Sequence, residues 1–160
     1  MANTFTQIHI QVVIAVKFRQ ALIAPSWRNN LFKYITTIIQ DHGHKVLAIG
    51  GIEDHVHIFI GFRPNESLST LMMVIKRETA EWINKEHFTK TPFRWQKGFG
   101  AFSYSMSHIK PVINYILNQE RHHTQKKFIE EYEEFLTKFR VEYDKRYIFT
   151  TPENNDCPQT

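Results

Sequence analysis

A chain of 160 residues, 42% hydrophobic and 22% charged, is long enough to bury a core and is not compositionally disordered. Its formal charge is +4 with nine histidines left out, which admits an anionic partner such as nucleic acid without requiring one. No apolar run approaches the ~20 residues that span a bilayer, and Met1 to Phe5 lack a basic patch leading into an apolar signal core, so a cytoplasmic location is expected. The single cysteine, Cys157, cannot form an internal disulfide.

Thr6 to Lys17 is β-branched and apolar, with polar Gln7, His9 and Gln11 alternating at its start, and reads as a strand. Pro25-Ser26 opens a helix, with Ser26 as the expected N-cap and Leu31, Ile35, Ile38 and Ile39 at helical spacing. Asp41-His42-Gly43 closes it. Lys45 to Ile52 and His55 to Phe62 read as two strands of a hairpin joined by the tight turn Glu53-Asp54. Ser67 then caps a helix whose Leu68, Leu71, Met72, Ile75, Trp82 and Ile83 form a stripe.

Phe93 to Ser105 is aromatic-rich and reads as one bent or paired strand. Ser107 is expected to cap a helix reaching about His122, with Pro111 tolerated in its first turn. A charged helix from Thr124 to Phe139 and a disordered tail beyond residue 150 complete the chain. The order β-α-β-β-α-β is that of a ferredoxin-like α+β domain: an antiparallel sheet with helices on one face, plus C-terminal helices. Residues 1–150 form one domain in this reading.

The segment Asp54-His55-Val56-His57 carries the first chemical signal. Alternate residues of a strand share a face, so His55 and His57 point the same way and Val56 the other. The second signal is Tyr115 and Gln119, four apart on the expected helix and therefore on one face, near Val112, Ile116, His122 and His123. Alone, a histidine pair is usually structural and a tyrosine beside apolar neighbours usually packs. Together they describe a site. Two imidazole nitrogens from His55 and His57 and the carbonyl oxygen of Gln119 would hold a divalent metal, Mn²⁺ or Mg²⁺, with positions open for phosphate oxygens. Tyr115 would then stand beside that phosphate as a nucleophile, forming a phosphotyrosine ester that conserves the energy of the broken bond. No phosphate-cradling Gly-rich loop with its lysine is present, in keeping with an ATP-free reaction.

At this point the sequence resembles the small single-tyrosine HUH transposases of bacterial insertion sequences and their relatives associated with repetitive palindromic elements. His55-Val56-His57 matches the His-hydrophobic-His motif, and Tyr115 to Gln119 matches the Tyr-x-x-x-Gln nucleophile motif. Asp54, the segment Trp95 to Ser103, His122-His123 and Glu142 to Tyr147 agree in order, although Lys145 stands where the family usually has Glu. The resemblance implies a metal-dependent enzyme that cuts and rejoins single-stranded DNA near folded hairpins, leaving the 5′ phosphate on the tyrosine. It also implies a homodimer in which the tyrosine helix of one subunit can complete the site of the other.

Three rivals compete with this reading. A non-catalytic nucleic-acid-binding module is suggested by Lys97 to Tyr104, which comes close to the aromatic signature of RRM domains but falls on the wrong strand. A domesticated hairpin-cutting relative would share the chemistry, and a metal hydrolase would use water in place of Tyr115. Lys17, Arg19, Lys76, Arg77, Lys97 and Lys110 are the candidate DNA-backbone contacts, whereas Glu130-Glu131 and Glu133-Glu134 read as a solvated helix face.

Overall fold

The computed structural model describes residues 3–123 and 128–142. Strands β1 (His9–Ala15), β2 (Lys45–Gly51), β3 (His55–Gly61) and β4 (Gly100–Tyr104) form one antiparallel sheet in the order β2-β3-β1-β4. Helix α1 (Pro25–Asp41) joins β1 to β2, and α2 (Leu68–Lys85) joins β3 to β4. This is the β-α-β-β-α-β arrangement expected from the sequence.

The alternation of side chains along the central strands divides the interior in two. Val12, Ile14 and Val16 project from β1, and Val56, Ile58 and Ile60 from β3, into a core closed by Leu31, Ile35 and Ile39 of α1 and Leu71, Met72 and Ile75 of α2. All of these are buried, and each buried Val, Ile or Leu side chain contributes about 1.5–3 kcal/mol. The opposite face of the sheet receives three helices that follow β4: α3 (Ile109–Leu117), α4 (Gln119–His123) and α5 (Phe128–Lys138). Val112 and Ile116 of α3 pack on Ala48 and Phe59, while Leu136 of α5 packs on Val13, Ala15 and Phe102. A polar strip lies between these two smaller clusters.

Close approach of α3 to the sheet depends on Gly50. A Cβ at this position of β2 would lie 1.9 Å from the carbonyl oxygen of Ile116, so no other residue fits without displacing the helix. At Gly100 a Cβ would instead meet the Tyr132 side chain, 2.6 Å from its hydroxyl, so the ring rather than the helix backbone would have to move.

Several boundaries differ from those read in the sequence. Helix α1 starts at Pro25, with Ala24 in the N-cap position and no side-chain cap, because proline at N1 presets the helical φ and makes Ser26 unnecessary as a cap. The Ser67 cap of α2 is as expected, its hydroxyl accepting from the Thr70 amide at 3.0 Å. The aromatic stretch from Phe93 yields only the five residues of β4; before it, Trp95 makes an isolated bridge to Val16, and Gly98 with φ +76° breaks the strand. The helix expected from Ser107 to His122 is interrupted. A 3₁₀ turn (Met106–His108) precedes α3, and Asn118, with φ −104° and ψ 24°, separates α3 from α4. The charged helix is seen from Phe128; its expected start at Thr124, the segment from Tyr143 to Tyr147 and the tail beyond residue 150 lie outside the described residues.

Candidate active site

His55 and His57 are the first and third residues of β3, opposite Ala15 and Val13 of β1. Both rings are fully buried under the C-terminal helices, with centroids 5.0 Å apart. Each ring is oriented through Nδ1. His55 Nδ1 lies 2.7 Å from the Asp54 carboxylate, and His57 Nδ1 lies 2.8 Å from Oε1 of Gln11. Both partners there are oxygen acceptors, so each Nδ1 carries the proton and donates it. Gln11 is itself oriented, its amide nitrogen donating to the Tyr104 hydroxyl at 3.0 Å. Neutral rings held in this way present their Nε2 lone pairs to the space between the sheet and the helices.

Acceptors meet them there. Gln119 Oε1 lies 3.3 Å from His55 Nε2, and its orientation is set by a bond from its amide nitrogen to the Tyr115 carbonyl at 3.3 Å. Glu131 Oε1 lies 2.9 Å from His57 Nε2. Lone pairs facing lone pairs repel unless a proton or a cation stands between them. The His55, His57 and Glu131 ligand atoms all lie within 4.8 Å of one another. Two ligands of one ion at ~2.2 Å each are at most ~4.4 Å apart, so small side-chain shifts would close the set around a divalent cation. The residues fit a metal through this convergence of buried acceptors. Asp54 and Gln11 aim the two imidazoles, as the partners of metal-binding histidines commonly do.

Tyr115 projects from α3 into the same space, its ring edge-on to His57 with centroids 5.8 Å apart and packed against Phe135 of α5. Burial holds its phenol far above the ordinary tyrosine range. The negative charge of Glu131 and a hydrogen bond to that carboxylate push the same way, against a smaller opposing bond to Gln119. In this arrangement the phenol is firmly protonated. A cleft of about 280 Å³, walled by Tyr104, Val112, Glu131 and Phe135, opens onto Tyr115.

The structure thus brings together His55, His57, Tyr115 and Gln119, even though Asn118 places the last two on separate helices. It also assigns Glu131 differently from the sequence reading. Rather than sharing a solvated face with Glu130, Glu131 is 2% exposed and turned into the site. The signal was available: Glu131 stands four residues before Phe135 and five before Leu136, on the apolar face of α5. Gln11, one of the alternating polar residues at the start of the first strand, is fully buried. Of the basic candidates, Lys17, Lys76, Arg77 and Lys97 line one groove on the α2 side, while Arg19 and Lys110 do not. Lys76 is committed to the protein, its amine donating to the carbonyls of Gln96 (2.8 Å) and Gly98. Lys110 is exposed in the first turn of α3.

The fold and site together define an α+β domain with a histidine pair on its central strand and a tyrosine helix closing over it. The chain belongs to the IS200-like transposase family, whose sequence profile matches residues 4–119. Comparison with curated proteins finds no match. Among solved structures, a candidate transposase from Deinococcus radiodurans R1 is similar at 17% identity and a TM-score of 0.59, over 74% of this chain and 95% of its own. A REP-associated tyrosine transposase bound to a REP hairpin is similar at 13% identity and a TM-score of 0.54, over 72% of this chain and 68% of its own. At these identities the two likenesses speak for the fold. Among the described residues, no helix is long and apolar enough to cross a membrane.

Proposed function

We propose that this transposase-family chain cuts and rejoins single-stranded DNA at hairpin-flanked ends through a 5′-phosphotyrosine intermediate. The observation that carries this reading is the convergence of His55, His57, Gln119 and Tyr115 in one buried strip, the motifs being 60 residues apart in sequence at His55 and Tyr115. His55, His57 and Gln119 would hold the divalent metal, Mg²⁺ or Mn²⁺, and the Glu131 carboxylate lies beside them. When bound, the metal supplies charge neutralisation and polarisation at the scissile phosphate.

The protein's own residues do the rest. Tyr115 Oη attacks phosphorus as its proton passes to the hydrogen-bonded Glu131 carboxylate, the bond from phosphorus to the 3′ oxygen breaks, and the leaving 3′ oxygen takes that proton up in turn. Asp54 and Gln11 keep both imidazoles in the tautomer that exposes Nε2. Phe135 and the rest of α5 keep water from the phenol, which favours ester formation over hydrolysis. Rejoining reverses these steps with a different 3′ hydroxyl and needs no ATP.

Substrate and assembly follow from the same reading. The similar REP-associated protein is seen with a DNA hairpin, which supports a hairpin as the recognised feature here. A single tyrosine holds one strand end at a time, whereas excision and insertion need two, so a homodimer supplies the second nucleophile. A housekeeping role in hairpin cutting would use the same chemistry.

The test is incubation with labelled single-stranded oligonucleotides carrying the DNA that flanks the gene, with Mn²⁺ or with EDTA. A denaturation-resistant protein–DNA band that requires metal and is absent in Tyr115→Phe is the expected result. A band that persists in Tyr115→Phe would remove the nucleophile assignment. Binding without cleavage of any strand would favour the non-catalytic module, and cleavage without a covalent band would favour a hydrolase.

A further inference from the structure

On the α2 side of the sheet, away from the histidines, lies a groove of about 690 Å³, within the ~300–1,000 Å³ range of binding clefts. One wall is α2, contributing Met73 and Arg77; the other is the segment before β4, contributing Arg94, Lys97 and Phe99, with Lys17 at the end. None of the lining residues is acidic. A chain with a net charge of +4 therefore concentrates five cationic side chains, Lys76 included, along a single groove. Among the described residues, no carboxylate pairs with Lys17, Arg77, Arg94 or Lys97.

The groove is built rather than incidental. Gly98 takes φ +76° and carries the Lys97–Phe99 turn out of the line of β4. The Lys76 amine holds that turn against α2 through the Gln96 and Gly98 carbonyls. Burial pushes this amine down to about 8, as befits a lysine used to fasten backbone rather than to meet solvent. At the other end, Phe18 and Arg19 both lie in left-handed backbone (φ 59° and 50°), which neither residue type favours, and the Lys17 amine rests 5.2 Å from the centre of the Phe18 ring.

The Lys17 end of the groove lies at the end of the sheet where β1 finishes and His55 opens β3. The Lys17 amide donates to the Arg94 carbonyl at 2.9 Å, and the preceding Val16 amide donates to the Asp54 carbonyl at 2.8 Å, one residue before His55. A strand leaving the histidine pair around this end of β1 would enter the groove at Lys17.

We propose that this groove binds the single-stranded DNA flanking the cleavage point, with phosphates on Lys17, Arg77, Arg94 and Lys97 and a base against Phe99 and Met73. Cations interleaved with an aromatic ring and an exposed methionine suit unpaired nucleotides, which offer both a phosphate and a free base face. Met73 is 56% exposed, and Phe99 is half-buried beside it. A closed duplex would offer only its phosphates. The proposal rests on the DNA-cleaving function above and goes beyond it by assigning where the substrate strand runs.

The test measures fluorescence anisotropy of a labelled single-stranded oligonucleotide with the full chain in EDTA, so that binding is read without cleavage. The Arg77→Ala, Lys97→Ala double variant is expected to bind roughly ten-fold more weakly, with a log–log salt slope shallower by about 1.4. Phe99→Leu, which keeps apolar bulk, is expected to lose about five-fold or more with the slope unchanged. Lys33→Ala, on the exposed side of α1, should bind as wild type and form the covalent adduct at the wild-type rate. Wild-type binding and slope in the double variant, or an equal loss in Lys33→Ala, would overturn the groove and leave the Tyr115 chemistry to be judged by its own adduct. A loss that is as large for a blunt duplex as for the single strand would also overturn it.

Discussion

The two faces of the one sheet are made of the same strands and do opposite work. Toward α1 and α2 the side chains of β1 and β3 are uniformly Val and Ile, and nothing polar interrupts them. Toward α3 and α5 the same strands offer Gln11, Val13 and Ala15, then His55, His57 and Phe59, so polar groups are buried among apolar ones. The apolar face derives its stability from area removed from water, which needs volume and little direction. The polar face is a network in which each donor has one useful partner, and its geometry matters more than its area. Stability and the proposed chemistry are thereby separated by the period of a β-strand.

Neighbouring substitutions on β3 give the strongest test of this division. His57→Ala is expected to leave no metal-dependent DNA adduct on a denaturing gel while shifting the urea midpoint little. Ile58→Ala, one residue on, should cost about 2–5 kcal/mol in urea unfolding while its folded fraction still forms the adduct. If His57→Ala proves the more destabilising of the two and keeps the adduct, the division fails. Gly50→Ala probes the seam between the faces. Its methyl would meet the Ile116 carbonyl at 1.9 Å and push α3 outward. Displacement of Tyr115 by about 1 Å should slow adduct formation by roughly 100-fold, a larger effect than its unfolding cost suggests.

A smaller effect is expected from Gln11→Leu, which fills the same space but leaves His57 Nδ1 without its acceptor. Mn²⁺ affinity by calorimetry should fall by about 10–100-fold with the fold intact. The smallest concerns pH. Burial raises the Tyr104 phenol to about 12, against an opposing bond from Gln11. The unfolded value is near ~10, so the folded state holds this proton more tightly. The resulting stability is whole below pH ~10 and drains away between ~10 and ~12. Urea midpoints measured across that range should fall less steeply in Tyr104→Phe than in wild type.

How far the sequence foretold these features depends on the kind of interaction. The alternation in His55 to Phe62 places both histidines on one face by backbone geometry alone, and the structure agrees. Tyr115 and Gln119 were paired through an unbroken helix, yet Asn118 interrupts it; they still meet because α4 turns back over β2. Glu131 went unread because a run of acidic residues looks solvated until α5 is seen lying on the sheet. Gln11 stood out only as one of the alternating polar residues of the first strand; its burial between His57 and Tyr104 follows from the helices that cover that face.

The Lys76 ammonium illustrates the same limit for surface charge. From its residue type it reads as a phosphate contact, and only the fold of the Gly98 turn shows that backbone carbonyls claim it. By itself the sequence determined the element order, the antiparallel sheet and the family's His-Val-His and Tyr-x-x-x-Gln motifs, because these follow from local periodicity and spacing. Which side chains a buried imidazole faces is set by contacts between residues as far apart as His57 and Glu131. That was decided by tertiary structure, since the pairing energy of such groups exists only once both have left water.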